Sequence, residues 1–229
     1  MRFWSEERAL SVFLSLLVVE MFVIGPVVRT GRTFGLARDV LFSILLVAGV
    51  FTVVRHRTLQ WTTGLFVLLA IALRWGAIVF DTPWLLFWNA VLTLLATVAF
   101  LLIVLWWVYR EGPVTGHRVR GAVAAYLLLA LCFSFAYSLI EYVHPGAFTL
   151  PPGGAQGIRT RPESFLYFSV VTLTTVGFGD IAAVHPVGRS LVMVEALVGT
   201  LYPAILLARL VTLQIETRRS QRSRKDGER

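Results

Sequence analysis

Apolar residues follow one another in long stretches along this chain, and polar residues collect in the segments between them. A helix that crosses a bilayer needs about 17 to 25 predominantly apolar residues, and six stretches meet that length. These are Leu10 to Val28, Leu36 to Val54, Trp61 to Phe80, Trp84 to Tyr109, Gly121 to Tyr142 and Val187 to Ile215. They have almost no polar face, which a soluble helix bundle would need in order to meet water. The pattern therefore predicts an all-α membrane protein with six transmembrane helices.

A shorter helical pattern lies between the fifth and sixth spans. The preceding segment, His144 to Pro162, is rich in glycine and proline and predicts an exposed outer turret. The stretch "ESFLYFSVVTLT" then supplies about three helical turns, with Thr160 and Glu163 at the spacing of a capping box. This helix is too short to cross the membrane, so we expect it to be re-entrant. The backbone after it lies at membrane depth without being helical, which requires surrounding protein or a water-filled path.

Composition agrees with a membrane protein, since 57% of the 229 residues are hydrophobic and 15% are charged. The single cysteine, Cys132, excludes a disulfide within one chain. The first apolar stretch is not typical of a signal peptide, because Glu6, Glu7 and Glu20 interrupt the expected pattern and no small-residue cleavage site follows. We therefore expect it to be retained as a helix.

The basic residues predict the orientation, because Lys and Arg are retained on the cytoplasmic side. With a cytoplasmic N-terminus, thirteen of them flank the spans on the inner side and five on the outer side. Both termini are then cytoplasmic in a multi-pass protein of the cell membrane. The tail from residue 216 to 229 is basic and predicts either disorder or contact with anionic lipid. No nucleic-acid motif accompanies these charges, so nucleic acid is not an expected partner.

The loop "TLTTVGFGD", Thr172 to Asp180, follows the short helix and has residues suited to binding a dehydrated cation. Successive backbone carbonyls can replace the water shell of an ion if they point to one side. Gly177 and Gly179 permit the left-handed conformations that this requires. The short helix directs its partially negative C-terminal end at the same place. One chain supplies only one wall of such a site, so several chains must surround the axis, and fourfold symmetry is the natural closure.

This loop resembles the selectivity filter of the tetrameric pore-loop potassium channels. The resemblance implies a homotetramer without any cofactor beyond the permeant K⁺ ions. The implied K⁺-coordinating residues are Thr175, Val176, Gly177 and Phe178, and the residues that support them are Thr174, Gly179, Asp180 and Tyr167.

The resemblance also predicts one contact, and it shows two positions at which this sequence differs from other members of the family. Phe178 replaces the commoner tyrosine and removes a hydroxyl that would brace the filter from behind. Val171 stands where some members carry a buried glutamate, so inactivation through that carboxylate is not expected. Tyr167 stands where an aromatic residue often bonds the outer aspartate, which predicts a contact between Tyr167 and Asp180.

The sixth span resembles the inner helix of the same family. Gly199 matches a glycine often treated as a gating hinge, and a glycine in mid-helix fits either a bend or a close packing contact. Thr200, Pro203 and Leu207 follow at spacings of three and four, so they share a face that we expect to line the inner cavity. Pro203 should also kink the helix.

Three of the charged residues inside the predicted spans are candidates for a role there. Glu195 in the sixth span is a functional candidate, and the alternative that we favour is a protonated, hydrogen-bonded glutamate behind the short helix. Glu20 and Arg74, in the first and third spans, reach similar depths, which permits an ion pair with a structural role. Sensing of a stimulus is the alternative role for this pair.

The predicted organisation is a sensor-like four-helix membrane domain without gating charges (1–110), a cytoplasmic linker (111–120), a pore domain (121–215) and a basic tail (216–229). Because the fourth span carries no arginine or lysine, strong voltage gating is not expected. No enzyme motif is present. The predicted function is passive, potassium-selective conduction. A poorly selective cation channel and a non-conducting modulatory membrane subunit are the alternatives.

Overall fold

The computed structural model describes residues 11–24, 40–49, 57–80, 83–109, 116–149 and 162–227. Nearly all of these residues are helical. The helices are α1 (residues 11–24, of which Val19–Ile24 form a π-helix), α2 (Val40–Gly49), α3 (Arg57–Phe80), α4 (Pro83–Tyr109), α5 (Gly116–Val143), α6 (Pro162–Leu173) and α7 (Pro186–Gly227). Two short strands, β1 (Phe148–Thr149) and β2 (Ala182–Ala183), pair antiparallel and were not predicted.

Three helices in the described ranges are long and apolar enough to cross a membrane. Their apolar parts are Phe87–Tyr109, Arg118–Val143 and Pro186–Thr212, in α4, α5 and α7. They coincide with the fourth, fifth and sixth predicted spans. The first three predicted spans contain the shorter apolar helices Ser11–Val23, Val40–Gly49 and Gly64–Gly76. The all-α membrane fold is therefore confirmed, and the count of six spans stays a prediction.

Prolines set where several helices begin. Pro83, Pro162 and Pro186 are the first residues of α4, α6 and α7. The fixed φ of proline suits a first helical turn, where its missing N–H would have no intrahelical partner. The pore-side helix α6 is 12 residues long, as the sequence predicts. The predicted capping residue Thr160 lies outside the described residues.

Helix α7 continues well beyond the predicted end of the sixth span, and it reaches Gly227. The tail is therefore helical from residue 216 to Gly227, which corrects the expectation of disorder, while its contact with anionic lipid stays a prediction. Glu, Arg, Gln and Lys dominate this part of the chain, and all are good helix formers. No proline lies between Pro203 and the end of the helix, and the next glycine after Gly199 is Gly227 itself.

Two hydrophobic clusters hold the described helices together. The larger one includes residues from α1, α2, α3, α4 and α5 and reaches Leu173 at the end of α6 and Tyr202 in α7. The smaller one joins α5, α6 and the strands, and its buried members are Tyr137, Ala147, Phe148, Phe165, Phe168 and Ile181. The ring of Phe148 is central to it, with ring centroids of Phe165 and Tyr137 at 5.1 Å and 5.4 Å. This smaller cluster packs α6 against α5 on the side where the strands pair.

Candidate functional site

Helix α6 ends in a hydrogen-bonded turn that starts the predicted filter loop, residues 174–180. The Val176 N–H donates to the Val171 carbonyl at 2.9 Å, and the Thr175 N–H donates to the Thr172 carbonyl at 2.9 Å. These two bonds define a Schellman motif, whose left-handed residue is Thr175 with φ 59°. Glycine is the usual residue at this position, because a Cβ there approaches the following carbonyl.

Thr175 is therefore a strained residue. The left-handed conformation costs an L-amino acid roughly 1–2 kcal/mol, and a β-branched residue there is a marked exception. Strain of this kind persists where the surrounding structure holds it, and it gathers at functional sites. The neighbouring Thr174 supports the turn, since its N–H donates to the Val170 carbonyl at 3.0 Å and its Oγ1 donates to the same oxygen at 2.7 Å.

The left-handed conformation recurs at every second residue of the loop. Gly177 has φ 58° and Gly179 has φ 77°, whereas the intervening Val176 and Phe178 are not in this region. This alternation suits a backbone whose successive carbonyls turn to one side. In the single chain, an added Cβ on either glycine would meet nothing within 4 Å, so within one chain the glycines are needed for their conformation and not for space. Among the described residues, no backbone N–H donates to the carbonyls of residues 175–178.

The outer end of the loop contacts the exposed face of α6. The rings of Tyr167 and Phe178 lie parallel, at an interplanar angle of 3° and a centroid distance of 6.4 Å. The side chain of Tyr167 is also hydrogen-bonded to Asp180, so the structure brings together the pair that the resemblance implied. Partial burial, this hydrogen bond and the negative charge of Asp180 raise the pKa of the Tyr167 hydroxyl above its ordinary value. In a single chain, residues 174–180 are all exposed.

Two tyrosines and one glycine, which the sequence does not show to be a group, brace the end of α6. The Tyr126 hydroxyl in α5 donates to the Leu173 carbonyl at 3.1 Å. The Tyr126 ring stacks on that of Tyr202 in α7, with centroids 5.8 Å apart, and the Tyr202 hydroxyl donates to the Ala122 carbonyl at 2.9 Å. Gly199 in α7 lies against the backbone of Leu173, where no side chain would fit. The end of α6 is thus fixed between α5 and α7.

Glu195 lies behind α6 and is fully buried. Its carboxyl group contacts the hydroxyls of Tyr137 in α5 and Ser169 in α6. This is the place that the favoured interpretation gave it. Sequence reasoning missed the two hydroxyl partners, whose only signal was that each is a polar group within an apolar helix.

The other predicted residues of the inner helix are exposed in the single chain. Thr200, Pro203 and Leu207 all lie in the continuous helix α7, and the Thr200 hydroxyl donates to the Ala196 carbonyl at 3.1 Å. Their exposure suits residues that line a cavity between subunits. The cavity itself and the kink at Pro203 stay predictions.

The structure places the predicted charges of the first four helices in α1 and α3. Glu20 is buried in the π-helical part of α1, and the Arg74 guanidinium lies over the Phe42 ring at 4.9 Å. The ion pair between Glu20 and Arg74 stays a prediction.

The segment between α5 and α7 has two contacts that the sequence did not predict. Glu141, at the end of α5, accepts hydrogen bonds from the N–H groups of Gly146 and Phe148 at 2.7 Å and 3.2 Å. The rings of His144 and His185 stack at 4.3 Å. An acidic residue inside a predicted span was a signal that could have drawn attention to Glu141.

Comparison with known proteins identifies the segment that contains these features. The model of a family described as "Ion channel" matches residues 125–215, from α5 through the filter loop into α7. This match is to a channel family and not to an enzyme. Together with the apolar helices, it makes the chain a multi-pass membrane protein.

Three related proteins cover parts of the chain. Protein LctB of Bacillus caldotenax is 37% identical over 87 residues, and Protein LctB of Geobacillus stearothermophilus is 36% identical over 87 residues; each match covers 38% of this chain. The matched segment spans 64% of both LctB proteins, slightly under two thirds of their length. Potassium channel K1 of Plasmodium berghei (strain Anka) is 32% identical over 75 residues, which are 33% of this chain and 4% of that protein. No solved structure matches the chain.

Proposed function

We propose that this chain is the subunit of a potassium-selective channel in which four copies surround one axis. The match of residues 125–215 to the family described as "Ion channel" supports this proposal. The permeant K⁺ ions bind to oxygens of Thr175, Val176, Gly177 and Phe178. Thr174, Gly179, Asp180 and Tyr167 support that part of the backbone. No other cofactor is proposed.

The alternation of left-handed residues at 175, 177 and 179 carries this proposal. It suits one wall of a carbonyl-lined path, and the carbonyls of 175–178 receive no backbone hydrogen bond in the described part of the chain. The same residues are exposed in the single chain, as residues that face an axis between copies would be. A related protein is named as a potassium channel, which agrees with K⁺ as the ion.

Selectivity for K⁺ over Na⁺ is supported by the presence of both glycines. Gly177 and Gly179 each adopt a positive φ, so each is needed for the regular backbone path. A poorly selective cation channel would be expected to lose the second glycine. The opening stimulus is proposed to be something other than strong voltage sensing, because α4 contains no arginine or lysine. Both termini are proposed to lie on the cytoplasmic side.

Reconstitution of the purified protein into liposomes tests the proposal. We expect K⁺ flux that barium blocks, with Na⁺ excluded, from a particle whose mass in detergent corresponds to four chains. A flux carried equally by Na⁺ would contradict the selectivity and support the poorly selective alternative. If the purified protein gives no flux alone and flux appears only when a second membrane protein is added, conduction by this chain would be contradicted. That result would support the modulatory subunit.

A further inference from the structure

In the described part of the chain, the buried carboxyl group of Glu195 contacts the hydroxyls of two neutral side chains. Glu195, Tyr137 and Ser169 are each 0% exposed, and they come from α7, α5 and α6 in that order. The Tyr137 hydroxyl donates to Oε2 of Glu195, and the Ser169 hydroxyl contacts Oε1. Neither partner brings a positive charge. A buried carboxylate without a compensating charge is costly, so the number of hydrogens in the cluster matters.

The number of those hydrogens indicates the protonation state of the Glu195 carboxyl group. The Ser169 Oγ lies 2.8 Å from the carbonyl oxygen of Ala130, a group that can only accept. A serine hydroxyl has one hydrogen, and here it has two oxygens beside it. If Glu195 were ionised, one of the two contacts would bring together a pair of oxygens without any hydrogen between them. Both contacts are hydrogen bonds only if Glu195 donates to Ser169 and Ser169 donates to Ala130.

The titratable and charged side chains near this cluster do not change the number of hydrogens that Glu195, Tyr137 and Ser169 share. On α5, the neighbouring titratable side chains are the phenols of Tyr137 and Tyr126, and the latter is within electrostatic reach of Glu195. On α6, the described residues 164–173 include no charged side chain. On α7, the nearest arginines along the helix are Arg189, whose Nε donates to the Ala183 carbonyl, and Arg209, which bonds the Tyr109 carbonyl.

We propose that Glu195 is a neutral carboxylic acid and a positioning residue for the ion path. This inference rests on the proposed function. Glu195 accepts from Tyr137 and donates to Ser169, which donates to Ala130, so an unbroken chain of hydrogen bonds joins α7, α6 and α5. Ser169 lies six residues before Thr175, on the helix that carries the filter loop. The cluster thereby fixes the depth and rotation of α6 relative to the axis.

A second contact one turn further along supports this role. Glu195 and Gly199 are four residues apart on α7, and their partners Ser169 and Leu173 are four residues apart on α6. Residues at this spacing lie on the same face of a helix. These two contacts therefore lie on one face of α6 and one face of α7, and together they support a fixed register between the two helices.

Infrared spectroscopy of the purified wild-type protein tests the protonation directly, because it does not depend on conduction. We expect the carbonyl stretching band of a protonated carboxylic acid at neutral pH. The band of Glu195 should be lost in the difference spectrum between wild type and Glu195→Gln and unchanged in Glu141→Gln, which is the control because Glu141 is another buried glutamate whose carboxylate oxygens accept two backbone N–H bonds. A spectrum without the band in the wild type would overturn the inference, even if K⁺ flux is normal.

Flux measurements then test the positioning role. Gln at position 195 can accept from Tyr137 and donate to Ser169, so Glu195→Gln should restore the K⁺ over Na⁺ permeability ratio that Glu195→Ala loses by about tenfold or more. Ser169→Ala, which removes the link to α6, should lower the ratio in the same direction. Equal ratios in wild type, Glu195→Ala and Ser169→Ala would overturn the positioning role. If the wild type carries no flux, the proposed function fails, while the infrared result still stands for the protonation.

Discussion

Gly199 and the backbone of Leu173 are in direct contact, and a Cβ atom on Gly199 would lie 2.0 Å from the Leu173 carbonyl oxygen. Cβ atoms essentially never approach another heavy atom to under 3.0 Å, so an alanine here must displace α6 or α7. Of the two uses expected for a glycine in this helix, the structure shows the close contact. Its use as a gating hinge stays a prediction.

Gly199→Ala should therefore destabilise the pore segment and disturb the ion path. Overpacking of this kind costs typically 1–3 kcal/mol per site, and we expect a lower melting temperature of the purified assembly together with a lower K⁺ over Na⁺ ratio. Gly76→Ala is the matched control, because Gly76 is also helical and an added Cβ there meets nothing within 4 Å. It should be neutral or stabilising by roughly 0.5–1 kcal/mol. Equal melting temperatures for the two variants would contradict the contact.

Gly177→Ala should reduce selective flux, because alanine does not readily adopt the left-handed backbone conformation that Gly177 has. The residue has φ 58° and free space around its Cβ position, so the cost is the left-handed backbone of an L-residue, about 1–2 kcal/mol in each subunit. Gly146→Ala separates strain from the role in the ion path, since Gly146 has φ 85° and lies in the turn before β1. It should lower stability by a similar amount and leave the permeability ratio unchanged. A shift of that ratio in Gly146→Ala would contradict the assignment of the path to residues 175–178.

Replacement by glycine should lower the stability of the protein at Thr174 but not at the adjacent Thr175. Thr174→Gly loses the Oγ1 bond to the Val170 carbonyl and should destabilise the end of α6 by about 1 kcal/mol. Thr175→Gly removes the left-handed strain, so it should not lower stability, although it removes the hydroxyl from the inner end of the path. Thermal unfolding of both variants, with K⁺ flux measured beside it, checks this. If Thr175→Gly proves the less stable of the two, Thr175 is not strained.

The contact between Tyr167 and Asp180 predicts a pH dependence limited to alkaline conditions. A pKa raised in the folded protein means that folding favours the protonated phenol. The stabilisation is complete below the ordinary value of 10.0 and is lost as the pH rises through the raised pKa. Thermal stability attributable to this pair should thus be constant from about pH 6 to about pH 9 and decline above about pH 10.

Tyr167→Phe should remove that alkaline decline and lower stability at neutral pH, since it keeps the ring beside Phe178 and loses the hydrogen bond. Asp180→Asn should shift the decline to lower pH, because it removes the negative charge that opposes ionisation of the phenol. The same alkaline decline in wild type and Tyr167→Phe would show that another group causes it.

Sequence reasoning succeeded where the constraint is local. The 12-residue length of α6 and the places of Gly177 and Gly179 follow from hydrophobic pattern and backbone chemistry within a short stretch. The left-handed conformation of Thr175 was missed because the local sequence gives no sign of it. Glycine usually marks this type of helix end, and here the position has a β-branched residue. The helical tail was missed because its charges were weighed more heavily than the helix propensity of Glu, Arg, Gln and Lys.

The contacts between helices could not be predicted from the sequence. Membrane helices are apolar on most sides, since lipid is as apolar as leucine, so the pattern does not show which side of α5 faces α6. The bonds of Tyr126 to Leu173 and of Tyr137 to Glu195 join residues 47 and 58 positions apart. Glu195 itself could be recognised, because a carboxyl group in an apolar span stands out without any knowledge of its neighbours.

The turn at the end of α6 has a consequence for how the helix can act on a cation. Its last four carbonyls, those of residues 170–173, all accept hydrogen bonds, from Thr174, Val176, Thr175 and Tyr126 respectively. A carbonyl oxygen that already accepts a hydrogen bond is a weaker ligand than one that accepts none, so in the proposed channel the helix would contribute a long-range field and the loop would contribute the coordination sphere. Attraction of the ion and its dehydration are thus assigned to separate, neighbouring stretches of one chain, and a mutation can weaken either without abolishing the other.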